Sequence, residues 1–294
     1  MATKIWVGTD SGNEGDWATN ANWSPSGVPV STDDVILANT SQSVLDGFAQ
    51  SAVSLASLTI DASFTGTIGA LESDFLAIGT AKLEIGKRRA GIGTFAGSKR
   101  LNLDLGTVAC VANIYSTSAT SLDQNRNPLR IKCNNASTTI NVEGGLVSIA
   151  DNLSDTSTVD TVQSTGGTII VGGNVTIEKL TNAGGNITCL SPVTVQALCK
   201  GGQTVFDDGV AVCTIADLDV ADGALVNYLG GGTITDLELR GGTLDLTGSL
   251  KSKTITTSSI THDAVFIFDT AKTTFTNATT YGSNKIFTLT VKRK

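Results

Sequence analysis

The residues that could carry chemistry in this chain are carboxylates. Asp207 and Asp208 are adjacent in VFDDGV, and Asp217, Asp219 and Asp222 follow in IADLDVADG. Two closely placed carboxylates can divide the acid and base roles of glycoside hydrolysis. Three aspartates at short spacing can instead supply oxygen ligands to calcium. Both patterns also have an ordinary structural explanation, in a turn or on the outward side of a strand.

Sequence motifs elsewhere in the chain argue against hydrolysis. β-Helical hydrolases that resemble polygalacturonases carry His-Gly and Arg-Ile-Lys motifs after their aspartate pair. Here Arg130-Ile131-Lys132 precedes the pair, and His262 is followed by Asp263 rather than glycine. Residues 117–205 contain no Trp, Tyr or Phe on which a sugar could stack. We therefore expect no catalytic residue and no enzymatic activity.

Metal and cofactor sites are not predicted either. The aspartates of IADLDVADG lack the spacing and the terminal glutamate of an EF-hand loop. The chain has five Cys and one His, with no C-x-x-C pair, so a zinc site is not expected. We expect buried thiols that pack as small hydrophobic side chains. The cysteines are Cys110, Cys133, Cys189, Cys199 and Cys213.

The charge balance indicates that nucleic acid is not a partner. The formal net charge is −7, and the two basic clusters, residues 87–89 and 292–294, are short. Phosphate binding needs a larger set of clustered Lys and Arg. The first residues, MATKIWVGTDSG, contain no apolar run of signal-peptide length, and no run of about 18 apolar residues occurs. These features predict synthesis in the cytoplasm without a signal peptide and without membrane insertion.

Composition and a recurring phrase indicate the fold class. Charged residues are 16%, aromatic residues 5%, and Gly is 32 of 294. From about residue 140 a Gly-Gly pair followed by alternating apolar residues recurs about every 20 residues, as in GGTIIV, GGNVTI and GGTLDL. A repeat of that length with period-2 strands is typical of a solenoid. We predict an all-β, single-stranded parallel β-solenoid; an antiparallel sandwich or barrel is the alternative.

The alternation predicts which side chains face the interior. In TLDL, Leu244 and Leu246 should face inward and Asp245 outward. In TITDLELR, Ile234 should face inward together with Leu237 or Leu239, with a bulge or corner between them. RLNLDL places three leucines, residues 101, 103 and 105, on one face. The best helix candidate is VLDGFAQSAVSLASL, residues 44–58, and it predicts one short helical turn.

The N-terminal segment differs from the repeats. Trp17 and Trp23 are close together, Pro25 and Pro29 follow, and Asp33 and Asp34 precede an apolar run. An open solenoid end exposes strand edges and core, so terminal repeats need a cap. Tryptophans can plug the core, prolines can fix the backbone, and aspartates can accept hydrogen bonds from turn amides. We predict a cap at residues 1–50 and a solenoid at 51–250.

This segment resembles a known motif. The pattern GDWxxxxNWxPxGxPxxxDDV is similar to one that opens β-solenoid regions in autotransporter-like bacterial surface proteins and in virion proteins of tailed bacteriophages. A bacterial adhesin would add a leader and a translocator barrel, which the sequence lacks. The resemblance therefore implies a virion protein that binds other capsid or tail proteins, and phage β-helical proteins of this kind are commonly homotrimers.

The C-terminal segment, residues 251–294, carries a cluster of phenylalanines. Aromatic residues are enriched in the cores of protein interfaces. We predict a C-terminal β cap or an oligomerisation segment. Its candidate interface residues are Phe266, Phe268, Phe275 and Phe287.

Two functions are consistent with these features, and the second has a hydrolytic variant that would act through Asp207 or Asp208. The first is a non-enzymatic structural component of a bacteriophage particle, located in the virion as a capsid decoration or spike protein. The alternative is a tail spike or surface adhesin fragment that binds a host-surface polysaccharide.

Overall fold

The computed structural model describes residues 1–87, 100–117, 128–151, 155–190, 193–207, 214–261, 263–281 and 288–292. In these ranges the chain is all-β, with 25 strands, one 3-10 helix (Asn20–Asn22) and no α-helix. The strands stack as parallel coils, so the fold is the predicted parallel β-solenoid. The predicted antiparallel alternative is wrong.

The chain divides into two compact units. The first comprises Met1–Ile149 with Thr156–Val159, and the second comprises Ala150–Asp155 with Asp160–Lys294. The sequence analysis predicted domain boundaries at residues 50 and 250 and none near residue 150. Parallel pairing also extends across both predicted boundaries, because the strand Asp34–Leu37 pairs in parallel with Ser57–Ile60 across residue 50 and the strand Gly232–Arg240 pairs in parallel with Lys253–Thr261 across residue 250.

The strands of the first unit are β1 (Thr3–Trp6), β2 (Trp23–Ser24), β3 (Asp34–Leu37), β4 (Ala49–Leu55), β5 (Ser57–Ile60), β6 (Leu76–Thr80), β7 (Lys82–Ile85), β8 (Leu101–Asp104), β9 (Val111–Ile114), β10 (Leu129–Lys132), β11 (Asn134–Val142) and β12 (Leu146–Ile149). The next strand, β13 (Ser157–Ser164), contributes residues to both units.

The strands of the second unit are β14 (Thr168–Val171), β15 (Val175–Cys189), β16 (Val193–Phe206), β17 (Ile215–Ala221), β18 (Leu225–Tyr228), β19 (Gly232–Arg240), β20 (Thr243–Asp245), β21 (Lys253–Thr261), β22 (Val265–Asp269), β23 (Thr273–Phe275), β24 (Thr280–Tyr281) and β25 (Thr288–Lys292).

In-register pairing builds apolar columns inside each unit. In the first unit β3, β5, β7, β9 and β11 pair in parallel, and one aligned residue from each strand is fully buried. In the second unit β17, β19 and β21 align three buried isoleucines. Each buried aliphatic side chain contributes about 1.5–3 kcal/mol. The first column is Val35, Leu58, Leu83, Ala112 and Ile140; the second is Ile215, Ile234 and Ile255.

Alternation predicted the inward residues correctly. Leu244 and Leu246 are buried, while Asp245 lies on the outward side. In β19, Leu237 and Leu239 are both buried, and the two consecutive exposed residues Thr235 and Asp236 make the corner. The three leucines at residues 101, 103 and 105 are buried on one side of β8, again as predicted.

The helical prediction for residues 44–58 is wrong. The segment contains β4 and the start of β5, and β4 pairs in parallel with β6. Local propensity is a weak determinant, because backbone pairing between coils outweighs it. Gly47 adopts φ 71°, which an α-helix does not allow.

The Gly-Gly phrase marks places where coils meet closely. Gly202 has φ 65°, and a Cβ atom there would collide with the carbonyl oxygen of Gly185 in the preceding coil. Only glycine satisfies both conditions without strain.

One buried corner is polar. Asn182 is fully buried in β15, and its Nδ2 donates to the carbonyl oxygens of Gly185 (3.0 Å) and Gln203 (3.1 Å) and to Thr204 Oγ1 (3.0 Å). Its Oδ1 accepts from the backbone N–H groups of Gly184 (3.2 Å) and Gly185 (2.9 Å). A buried amide with this many partners fixes the corner and the coil that follows it.

We expect Asn182→Ala to lower the free energy of unfolding by about 2–4 kcal/mol, because several buried backbone groups lose their partner. Urea unfolding followed by circular dichroism measures the change. The control is Asn186→Ala, an exposed asparagine on the same strand, which should change stability by less than about 0.5 kcal/mol. Equal midpoints for the two variants would contradict the role of the corner.

Candidate functional site: the N-terminal tryptophan cluster

The three tryptophans of the chain form one buried cluster. Trp6 lies at the end of β1, Trp17 in the following loop, and Trp23 in β2. The ring centroids are 6.2 Å apart for Trp6–Trp17, 5.1 Å for Trp6–Trp23 and 4.6 Å for Trp17–Trp23. Sequence reasoning named Trp17 and Trp23 and missed Trp6. The available signal was Trp6 at the end of TKIW, an apolar position in a short alternating segment.

Two of the indoles are tied to backbone carbonyls. Trp6 Nε1 donates to the Gln42 oxygen at 2.9 Å, and Trp23 Nε1 donates to the Trp17 oxygen at 2.8 Å. Trp17 Nε1 is buried and has no hydrogen-bond partner among the described residues. The cluster is therefore held by ring packing and by two oriented N–H groups.

The cluster sits where an extra strand covers the edge of β1. On one edge β1 pairs in parallel with β3, and on the other it pairs antiparallel with β2 through Trp6 and Trp23. This antiparallel pairing departs from the parallel stacking of the coils. β2 pairs with Ile5 and Trp6, so it covers this part of the outer edge of β1 and keeps it from pairing with another chain.

Asn22 organises the loop between β1 and β2. It is fully buried; its Nδ2 donates to the oxygens of Asn13 (2.6 Å) and Asp16 (2.9 Å), and its Oδ1 accepts from Asp10 N–H (2.9 Å). The Asn22 oxygen also accepts from the N–H of Val7 at 2.9 Å. This asparagine belongs to the motif, and sequence reasoning assigned it no role.

The prolines lie on opposite sides of the segment. Pro25 is exposed and follows a cis peptide bond with Ser24, and its oxygen accepts from Lys4 Nζ at 3.1 Å. Pro29 is buried. Both restrict the backbone between β2 and β3.

Asp33 and Asp34 anchor the start of the solenoid. Asp33 is buried and accepts from the N–H of Ala2 (2.7 Å) and Val30 (3.1 Å). Asp34 accepts from the hydroxyl of Ser57 in the next coil. Burial opposes ionisation of Asp33, but the two N–H donors and the nearby positive charges outweigh it, so its pKa is lowered.

The C-terminal phenylalanines also form a cluster. Phe266 and Phe268 are buried, and Phe275 is half-buried; the three centroids lie 5.0–6.1 Å apart. Phe287 lies outside the described residues. Since the chain itself covers Phe266 and Phe268, Phe275 is the described member of the predicted interface with the most exposed area.

Two of the aspartates considered for chemistry, Asp217 and Asp219, have structural partners. Asp219 forms an ion pair with Arg240, which also contacts Glu238 at 3.4 Å, and Asp217 accepts from Gln196 Nε2 at 3.1 Å. Asp208 and His262 lie outside the described residues, so the Asp207–Asp208 pair is not placed. In the described part of the chain, no three His, Cys, Asp or Glu side chains are grouped so as to hold a metal ion.

The Arg-Ile-Lys triplet packs against an aromatic ring. Arg130 and Lys132 lie over Phe75, at 5.0 and 3.9 Å from its centroid, and Arg130 donates to the oxygen of Glu72 at 2.7 Å. These contacts attach a loop to β10.

Buried thiols fit the packing role expected of the cysteines. Burial raises the pKa of Cys110 and Cys133 to about 12 and that of Cys199 to about 11. Cys189 is also buried, and Cys213 lies outside the described residues.

The comparisons found no relatives. No protein-family model matches the chain, and no curated protein and no solved structure matches it. Across the described ranges, no helix combines the length and the apolar character needed to cross a bilayer.

We expect Trp6→Ala to lower the free energy of unfolding by about 3–5 kcal/mol, because it removes the ring that joins β1 to the cluster. Thermal unfolding monitored by circular dichroism measures the loss. Ile5→Ala on the same strand is the control, since the Ile5 side chain is 40% exposed. A Trp6→Ala midpoint as high as that of the control would exclude a structural role for the cluster.

Asp33 should make stability depend on pH. A carboxyl whose folded pKa is lowered stabilises the fold above its unfolded pKa, and that contribution is lost as pH falls through the folded pKa. We expect Asp33→Asn to be less stable than wild type at neutral pH. The difference should shrink below the ordinary aspartate pKa of about 3.9. Urea midpoints across pH test this, with the exposed Asp263→Asn as control; a constant difference would contradict it.

Proposed function

We propose that this chain is a non-enzymatic structural component of a bacteriophage particle, a capsid decoration or spike protein that assembles as a homotrimer. The observation that carries the proposal is the N-terminal segment. It holds the motif that resembles openings of phage and surface-protein solenoids, and it folds as a covered end.

The physical properties of a capped solenoid are suited to a role outside the cell. Backbone pairing between coils leaves few unpaired amides, and a covered terminal edge limits uncontrolled pairing with other chains. Such a chain can form a rigid part of a particle through backbone pairing and buried side chains, among them the thiols of Cys110, Cys133 and Cys199.

The partners in this proposal are other virion proteins. Phe275 and the outward faces of the coils are the surfaces left for them, since the N-terminal edge is occupied by β2. The alternative is binding of a host-surface glycan, and the experiment below distinguishes it from a structural role in the particle.

The test is mass spectrometry of gradient-purified phage particles from the source culture. We expect peptides of this chain to co-sediment with the particle DNA, and light scattering of the purified protein to give three times 30.2 kDa. Recovery only from the soluble cell fraction would overturn the proposal. Absence from particles combined with saturable binding on a glycan array would favour the polysaccharide-binding alternative.

A further inference from the structure

One outward face of the second unit is built almost entirely of threonine. Four successive coils contribute two outward residues each, on β17, β19, β21 and β23 or at their ends. We call these eight positions the threonine face. They are Thr214, Ala216, Thr233, Thr235, Thr254, Thr256, Thr274 and Thr276.

The face is ordered by the inward residue between each outward pair, which is buried in the first three strands (Ile215, Ile234 and Ile255) and half-buried in the fourth (Phe275). Ile215 pairs with Ile234, Ile234 with Ile255, and Ile255 with Phe275, all in parallel register. The outward threonines therefore stack strand over strand at about 4.8 Å, with about 7 Å between the two columns. Threonine is β-branched and has little χ1 freedom, so the face is rigid and little entropy is lost when it is covered.

The threonine hydroxyls are unused inside the protein. Four of the threonines are exposed and three are partly exposed. None of the seven hydroxyls makes a hydrogen bond within the part of the chain that the structure describes. These exposed hydroxyls can therefore hydrogen-bond either to water or to a partner that covers the face.

Charge separates this face from its neighbour on the same strands. Past the corner, β17 and β19 carry an acidic row of four carboxylates, in which Asp217 aligns with Asp236 and Asp219 with Glu238. One cation, Arg240, contacts Asp219 and Glu238, so the row keeps an excess of negative charge. The threonine face carries no charge, while the whole chain has a net charge of −7. Two copies of an acidic chain repel each other at acidic surfaces and can approach at an uncharged one.

We propose that the threonine face binds the same face of a second copy of this chain. A hydroxyl both donates and accepts, so a surface of threonines is complementary to itself. A second copy also has the same strand repeat, so hydroxyl and methyl groups can meet in register along the whole face. A flat face that binds itself makes a two-fold contact.

The size of the face sets the strength of the contact. Four strands and two columns cover roughly 20 by 10 Å. Stable interfaces bury about 800 Å² per partner. The contact should therefore be weak and concentration-dependent. It does not depend on the proposed virion role, and it differs from the proposed homotrimer because it pairs copies two by two.

Sedimentation velocity of the full chain over a wide concentration range tests the contact. The test variant is Thr235→Glu with Thr274→Glu, two exposed positions on the threonine face. The control is Thr257→Glu with Thr280→Glu, two exposed threonines on the side of the acidic row. Both variants add two negative charges, and circular dichroism confirms that both are folded.

We expect wild type and control to associate reversibly, as monomer to dimer or as trimer to hexamer, and the test variant to associate at least about tenfold more weakly. Wild type that shows no such pairing at any concentration overturns the inference, as does equal weakening of both variants or of neither. A trimer without pairing would refute this contact alone, and a dimer without trimer would refute the proposed homotrimer alone.

Discussion

In a parallel solenoid, protection of a strand from pairing with other chains requires a neighbour on both of its edges. Inside the stack the next coil meets that requirement, since residues such as Leu58 and Leu83 align strand over strand. At a terminal coil the repeat cannot meet it. The N-terminal segment meets it with a different structure: a two-residue antiparallel strand, β2, lies on β1, and three tryptophans fill the adjoining core.

This constraint explains the unusual composition of residues 15–37. The repeats need small, β-branched and apolar side chains that fit between coils, and glycines such as Gly202 where backbones approach. The end needs large rings, rigid turns and carboxylates that accept terminal N–H groups, as Asp33 does from Ala2. The chain therefore uses two sets of residue types, one in the repeating coils and one in the segment that covers their end.

The sequence predicted what depends on local alternation. The inward positions of Leu244 and Leu246 follow from the alternation of side chains along a strand. The corner in β19 follows from the break in that alternation at Thr235 and Asp236. Features that depend on contacts between distant residues were not predictable. Trp6 joins the cluster through β2, Asn182 is defined by partners in the next coil, and residues 44–58 become strands because β6 lies beside them. The Thr-x-Thr segments were visible, but only the register aligns them into one face.

At the N-terminal end of the solenoid, β2 covers the outer edge of β1 at Ile5 and Trp6. Hydrogen–deuterium exchange of the wild-type protein, followed peptide by peptide, measures this most directly, because amides at open edges exchange quickly and paired amides exchange slowly. We expect the amides of β1 and β3 to be protected as strongly as those of the interior strands β5 and β7. Exchange of β1 and β3 at the rate of unpaired loops, with β5 and β7 still protected, would contradict it.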